Sequence, residues 1–271
     1  GIIYMLSGSR PNHSYYVEPE NTQACPRPFQ NDGHFLNEWV KTYKKGPGLD
    51  KWVSYFHAYE RHFGRYVGHD VVMVEIGVQS GGSTKMWRAF FGEKLRYFGL
   101  DVNRHTQQFR DPANNIEIHF VDQGDRDSLR KVIEKLPKAD IILDDGSHFF
   151  KHQINTFEVM FPYLKEGGVY CCEDTHTSYF AEEFDGAVNK EDSFVEYAKS
   201  LVDVVHYRHI ANDQKNQIKY LPKGEKLVEM FNTIGGFSWY DSMLFIEKVA
   251  VPSWDRVKGG DIWIPYYEHD G

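Results

Sequence analysis

The stretch VVMVEIGVQSGGSTKMWRAFFGEKLRYFGLD, residues 71–101, decides the architecture. An apolar run (71–77) stops in glycine, a helical segment follows over 83–92, and a second apolar run (95–101) closes on Asp101. Strand, helix and strand in that order form a unit whose parallel strands need cover on both faces. The texture repeats downstream. IEIHFVD (116–122) reads as a third strand, DRDSLRKVIEKLP (125–137) as a helix with Asp125 at its start, and ADIILDD (139–145) as a fourth strand. FKHQINTFEVMFPYL (150–164) then reads as a helix and GGVYCCED (167–174) as a fifth strand. Such alternation predicts an α/β domain.

Outward from this core the periodicity changes. Trp52, Phe56, Tyr59 and Phe63 fall on one face of a helix expected over 49–66, with Asp50 as its cap, and the face reads as packing. A short helix is expected over 34–45, ended by Gly46-Pro47-Gly48. Residues 1–32 read as an irregular arm and 250–271 as an irregular tail. NKEDSFVEYAK (189–199) is expected as a solvated helix face, and DVVHYRHIA (203–211) and WYDSMLFIEK (239–248) as two further strands. The division expected is 1–48 as arm and short helix, 49–250 as the main domain and 251–271 as tail.

With 41% hydrophobic residues the chain can bury a full core, and its net charge of −8 argues against a broad nucleic-acid surface. Cys25, Cys171 and Cys172 are an odd count with two adjacent in an apolar run, so they read as core filling in a reducing compartment. No run approaches the ~20 apolar residues of a membrane span. The first residues lack the pattern of a signal peptide, and the chain does not begin with Met. A cytoplasmic protein, and possession of only a segment of a longer chain, are the corresponding expectations.

Acids follow all five strands: Glu75 before Gly77, Asp101, Asp122, Asp144-Asp145 and Glu173-Asp174. In open parallel sheets ligands bind outside the carboxyl ends of the strands, so these acids describe the rim of a site. The first turn, with Gly77, Gly81 and Gly82, has neither the dinucleotide fingerprint nor a P-loop lysine. Its glycines permit close backbone approach. Glu75 would repel a pyrophosphate and favour a ligand bearing a sulfonium or ammonium, and Asp101 stands where a carboxylate accepts from ribose hydroxyls. Together these resemble the class I S-adenosylmethionine-dependent methyltransferases.

Asp145, Glu173 and Asp174 end neighbouring strands, and carboxylates converging there require a cation between them. Oxygen donors suit Mg²⁺, Mn²⁺ or Ca²⁺ and not zinc. His148 lies in the same loop, and an imidazole is suited to removing a hydroxyl proton near neutral pH. Taken alone, Asp-Asp-Gly-Ser-His also reads as a helix-initiating turn. His57, His62, His152 and His176 read as surface or packed residues, with His176 notable for standing beside the acid pair.

The motifs VEIGVQSGGS, GLDVN, ILDDGSH, EDTHTSY and YDSMLFIEK, with DKWVSYFHAYERHF before them, are similar to the metal-dependent sugar O-methyltransferases of macrolide biosynthesis, the mycinamicin and tylosin deoxysugar type. The similarity covers about 49–180 and 239–248. It implies a Rossmann-like class I methyltransferase fold, with a mostly parallel seven-stranded sheet, helices on both faces and an irregular or helical N-terminal extension. It also implies S-adenosylmethionine as methyl donor, held by Glu75, Gly77, Gly81, Asp101, Asp122, Gln123 and Asp144. Mg²⁺ or Mn²⁺ would be held by Asp145, Glu173 and Asp174, with His148 as general base.

The implied function is methylation of a sugar hydroxyl of a glycan or glycosylated natural product, the metal chelating vicinal hydroxyls. The implied partners are a sugar or glycoside substrate and, through the arm (HSYY, 13–16), a second copy of the chain. Nucleic acid and membrane are not expected partners. The competing readings are a catechol-type small-molecule O-methyltransferase, a nicotinamide oxidoreductase disfavoured by Gln79 and Glu75, and a non-catalytic module of a larger glycan-assembly protein.

Overall fold

The computed structural model describes residues 34–210, 212–217, 232–250, 259 and 261. The expected arm at 1–32, with Cys25 and 13–16, and nearly all of the expected tail lie outside the described residues. Strands β1 (Val71–Ile76), β2 (Leu95–Asp101), β3 (Ile116–Phe120), β4 (Ala139–Asp144), β5 (Leu164–Cys172), β6 (Ile234–Tyr240) and β7 (Met243–Lys248) form one sheet in the order β3-β2-β1-β4-β5-β7-β6. Neighbours pair in parallel from β3 to β5, and β7 alone runs against the rest. The chain moves outward from β1 to β3 and then returns to β4 on the other side of β1, so the strand order reverses between β1 and β4. That reversal opens a crevice at their carboxyl ends.

The helices are α1 (His34–Thr42), α2 (Val53–Phe63), α3 (Gly82–Phe91), α4 (Arg126–Ile133), α5 (Phe150–Met160), α6 (Ala181–Phe184) and α7 (Phe194–Val205). Strand parity sorts them onto two faces. Val71, Met73, Tyr97, Ile141, Leu143, Val169 and Cys171 pack with Leu36 of α1, Tyr55, Tyr59 and Phe63 of α2, and Met86, Trp87 and Phe90 of α3. Val72, Val74, Leu100, Ile142, Tyr170 and Cys172 pack with Leu129 of α4, Phe157 and Met160 of α5, and Phe194 and Leu201 of α7. Helix α1 shares the core of α2, and the Leu36 amide donates to Glu60 Oε1 at 2.7 Å.

Several local expectations change. Asp125 caps α4 as expected, accepting from the Asp127 amide, but Trp52 and not Asp50 stands at the start of α2 and provides no side-chain cap. Residues 203–205 end α7, and a 3₁₀ turn follows over Tyr207–His209 where a strand was expected. The solvated face expected at 189–199 instead contributes Phe194, Tyr197 and Ala198 to the core, because α7 is apolar along one stripe. The single strand expected over 239–248 is the end of β6, a turn at Asp241-Ser242 with Ser242 at φ 65°, and β7. Cys171 and Cys172 are buried free thiols. Among the described residues no helix is long and apolar enough to cross a membrane.

Candidate active site

A cavity of about 660 Å³ lies at the carboxyl ends of β1, β2, β4 and β5, within the range of small-molecule sites. Its floor is the turn after β1. Gly77 has φ 91°, and a Cβ there would stand 1.9 Å from the Asp145 carbonyl oxygen, so the adjacent strand ends meet backbone to backbone. Gln79 is left-handed at φ 47°. Asp101, at the end of β2, accepts from the amides of Val78 (2.9 Å), Gln79 (3.0 Å) and Asn103 (2.7 Å). Three amides fix its carboxylate at the cavity edge, and an ionised carboxylate has lone pairs to spare for a ligand hydroxyl.

The opposite wall is the acid cluster. Lys51, just before α2, places Nζ 2.5 Å from Asp145 Oδ2, 2.8 Å from Glu173 Oε2 and 4.0 Å from Glu75 Oε1. Its side chain is 3% exposed. From α2, Tyr59 donates to Glu173 Oε1 and Tyr55 to Asp174 Oδ1. Strand parity explains the convergence: Glu75, Asp145 and Glu173 continue the residues that face α1, α2 and α3. Burial opposes the Lys51 ammonium, but the charges of Asp145, Glu173 and Glu75 outweigh it and hold the group protonated. Burial, and next Asp145, push the Glu173 carboxyl up, against the pull of Lys51.

His148 and Asp174 are both left-handed, at φ 60° and 53°. These twists bring His148 Nε2 to 3.5 Å from Asp174 Oδ2, and ligating atoms of Asp145, His148 and Asp174 all lie within 4.8 Å of one another. His148 Nδ1 is buried without a hydrogen-bond partner among the described residues. Two carboxylates and an imidazole whose ligating atoms lie that close together at a cavity wall are a donor set that fits a divalent cation. His176 stands 3.9 Å from Asp174 Oδ1, bonds Ser242 and meets Trp52 edge-on.

The expected residues divide. Gly77, Asp101, Asp122, Gln123, Asp145, His148, Glu173 and Asp174 line the cavity. Glu75 and Asp144 do not. Glu75 is fully buried and accepts from Ser83 (2.8 Å), Trp87 (3.3 Å) and Tyr97, because it lies within β1 and under α3, whereas Asp145 and Glu173 stand just past the ends of β4 and β5. Asp144 points into the opposite face, where Gln123 Nε2 (2.6 Å), Tyr170 (3.2 Å) and the Gly146 amide (3.3 Å) donate to it, and burial pushes its carboxyl up to about 7. Gly81 is the left-handed residue that starts α3, and the Phe109 ring covers it. Gln123 also accepts from the Ser147 amide, which ties the loop after β4 to the loop after β3.

Lys51, Trp52, Tyr55 and Tyr59 were missed as site residues. Their one signal was DKWVSYFHAYERHF, whose aromatic face read as packing. Phe56, Tyr59 and Phe63 are indeed buried, whereas Trp52 is 61% exposed and lines the cavity.

The reversed strand order and the reversed seventh strand are those of the Rossmann-like class I methyltransferase fold. Residues 74–175 match the family model described as a methyltransferase domain. The chain is 34% identical over 215 residues to 8-demethyl-8-alpha-L-rhamnosyl tetracenomycin-C 2'-O-methyltransferase of Streptomyces olivaceus, covering 75% of this chain and 53% of that one. It is 29% identical over 213 residues to mycinamicin VI 2''-O-methyltransferase of Micromonospora griseorubida, covering 72% and 49%. Among solved structures it matches the MycE methyltransferase of the mycinamycin biosynthetic pathway in complex with Mg and SAH, with a TM-score of 0.65 and 27% identity over 82% of this chain and 57% of that one. A second MycE complex, with Mg, SAH and mycinamycin VI, matches with a TM-score of 0.64 and 26% identity, over 82% and 56%. The resemblance expected from the motifs therefore holds, and the chain spans about half the length of the curated relatives it matches.

Proposed function

We propose that the protein is a metal-dependent O-methyltransferase that moves a methyl group from S-adenosylmethionine to a sugar hydroxyl of a glycosylated natural product. The observation that carries this reading is the meeting of Asp145, His148 and Asp174 at the wall of a cavity whose floor is the Gly77 turn and Asp101. The relatives' named reactions and the Mg and SAH of the MycE complexes support it.

In this reading Gly77, Asp101, Asp122 and Gln123 hold the methyl donor, while Glu75, Gly81 and Asp144 shape the backbone behind them. Asp145 and Asp174, with Glu173 beside them, hold Mg²⁺ or Mn²⁺. A bound ion there would supply a Lewis acid for a sugar hydroxyl, and a bound donor would supply an electrophilic methyl group. His148 takes the hydroxyl proton through Nε2, the ring nitrogen that stands 3.5 Å from Asp174 Oδ2 beside the acid cluster. The imidazolium so formed is stabilised by Asp174. Fixing the hydroxyl and the donor against opposite walls supplies orientation. The protein works in the cytoplasm, as a homo-oligomer or as part of a longer chain.

Calorimetric titration of S-adenosylmethionine and Mg²⁺ into the wild type and Asp145→Ala tests the reading. The wild type is expected to bind both, and the variant to keep the donor and lose the metal. A wild type that binds neither overturns it. Screening labelled methyl transfer onto glycosides with vicinal hydroxyls, against catechols, then separates the two acceptor classes.

A further inference from the structure

We propose that Lys51 is a resident counter-ion of the acid cluster, one that shares Asp145 and Glu173 with the divalent ion and so limits how tightly that ion is held. This rests on the metal-dependent reading above and deepens it. Glu75 and Glu173 are essentially without solvent, and the Asp145 side chain is 21% exposed. Carboxylates so placed repel one another unless a cation lies among them. Lys51 Nζ touches two of them and stands 4.0 Å from the third. The ammonium therefore does, in the protein alone, part of what a bound divalent ion does.

The position of Lys51 is not adjustable at will. It lies two residues before the start of α2, whose Tyr55 and Tyr59 are buried and donate to Asp174 and Glu173. One packed helix thus delivers an ammonium and two hydroxyls to the three acids expected to hold metal. The consequence is twofold. The acids are preassembled without metal, and the divalent ion meets a positive charge that already uses Asp145 Oδ2 and Glu173 Oε2. The site is built for a readily exchanged ion rather than a permanent one.

The test measures Mn²⁺ binding by the electron paramagnetic resonance of the free ion, and thermal unfolding in EDTA and in Mn²⁺. It uses the wild type, Lys51→Met and Lys51→Met/Glu173→Gln. Lys51→Met is expected to bind Mn²⁺ at least tenfold tighter than the wild type. In EDTA it is expected to melt several degrees lower and to regain the loss when Mn²⁺ is added. The double variant, which removes the ammonium together with one of the acids it faces, is expected to fold and to melt near the wild type in EDTA. Should the single variant not fold, the double variant decides: its failure to recover overturns the proposal. Unchanged or weaker Mn²⁺ binding by Lys51→Met also overturns it. Binding of S-adenosylhomocysteine and Mn²⁺ by the wild type is measured alongside. Their absence overturns the methyltransferase reading, whereas their presence with an indifferent Lys51→Met overturns the Lys51 proposal alone.

Discussion

His148 and Asp174 occupy left-handed backbone conformations without being glycine, a cost of about 1–3 kcal/mol each that persists only where surroundings enforce it. Thr177 stands against both, its hydroxyl within hydrogen-bond distance of the carbonyl oxygens of His148 (3.0 Å) and Asp174 (2.9 Å), with one proton to donate between them. With His148 as base, His148→Ala lowers methyl transfer by roughly 10²–10⁴-fold. Calorimetry with S-adenosylhomocysteine is expected to show unchanged binding, and wild-type turnover in the variant would remove His148 from the role. Asp144 carries a pH prediction. Its folded carboxyl keeps a proton up to about 7, against an ordinary value of 3.8. Between those values the unfolded chain has released a proton that the folded chain holds, so stability falls as pH rises through the window and is level on either side. Asp144→Asn removes this slope, worth on the order of 4 kcal/mol for a fully buried group. Urea unfolding in EDTA from pH 4 to 8 reads it, and parallel slopes in variant and wild type would refute it.

At the scale of elements, the turn after β1 is the most constrained piece of the domain. Gly77→Ala sets a methyl group 1.9 Å from the Asp145 carbonyl at a φ of 91°, so the β1 and β4 ends must separate. A loss of more than about 3 kcal/mol is expected, with weakened cofactor binding; an unchanged melting temperature would show that the strand ends part freely. This turn was legible in the sequence because its glycines directly follow a buried strand. Segments 203–211 and 239–248 were not legible. Val204, Val205 and Tyr207 are β-branched or aromatic and favour strands locally, yet the apolar stripe of α7 buries Leu201 and Val204 against the core, and burial outweighs propensity. The turn at Asp241-Ser242 lacks glycine and hides inside an apolar run.

The molecule as a whole is a sheet buried on both faces, and its two cores do different work. The α4–α7 side is packing: Phe157 is fully buried against Phe161, Tyr170 and Tyr197. Phe157→Ala is expected to cost about 3–5 kcal/mol by denaturant unfolding while leaving metal affinity in the folded protein unchanged; a coupled loss of metal binding would show the faces are not independent. The α1–α3 side packs and also delivers Lys51, Tyr55 and Tyr59 to the acids. The sequence by itself determined the β/α alternation, the acid after each strand and the loop that holds Asp145 and His148, because each is set by residues adjacent in the chain. Even the shared parity of Glu75, Asp145 and Glu173 is implicit in strand periodicity. Only the tertiary structure decided that Glu75 and Asp144 turn away from the cavity and that Lys51 enters the cluster. Lys51 lies 94 and 122 residues from its partners Asp145 and Glu173. A charge so distant is placed by the docking of α2 on the sheet and not by local spacing.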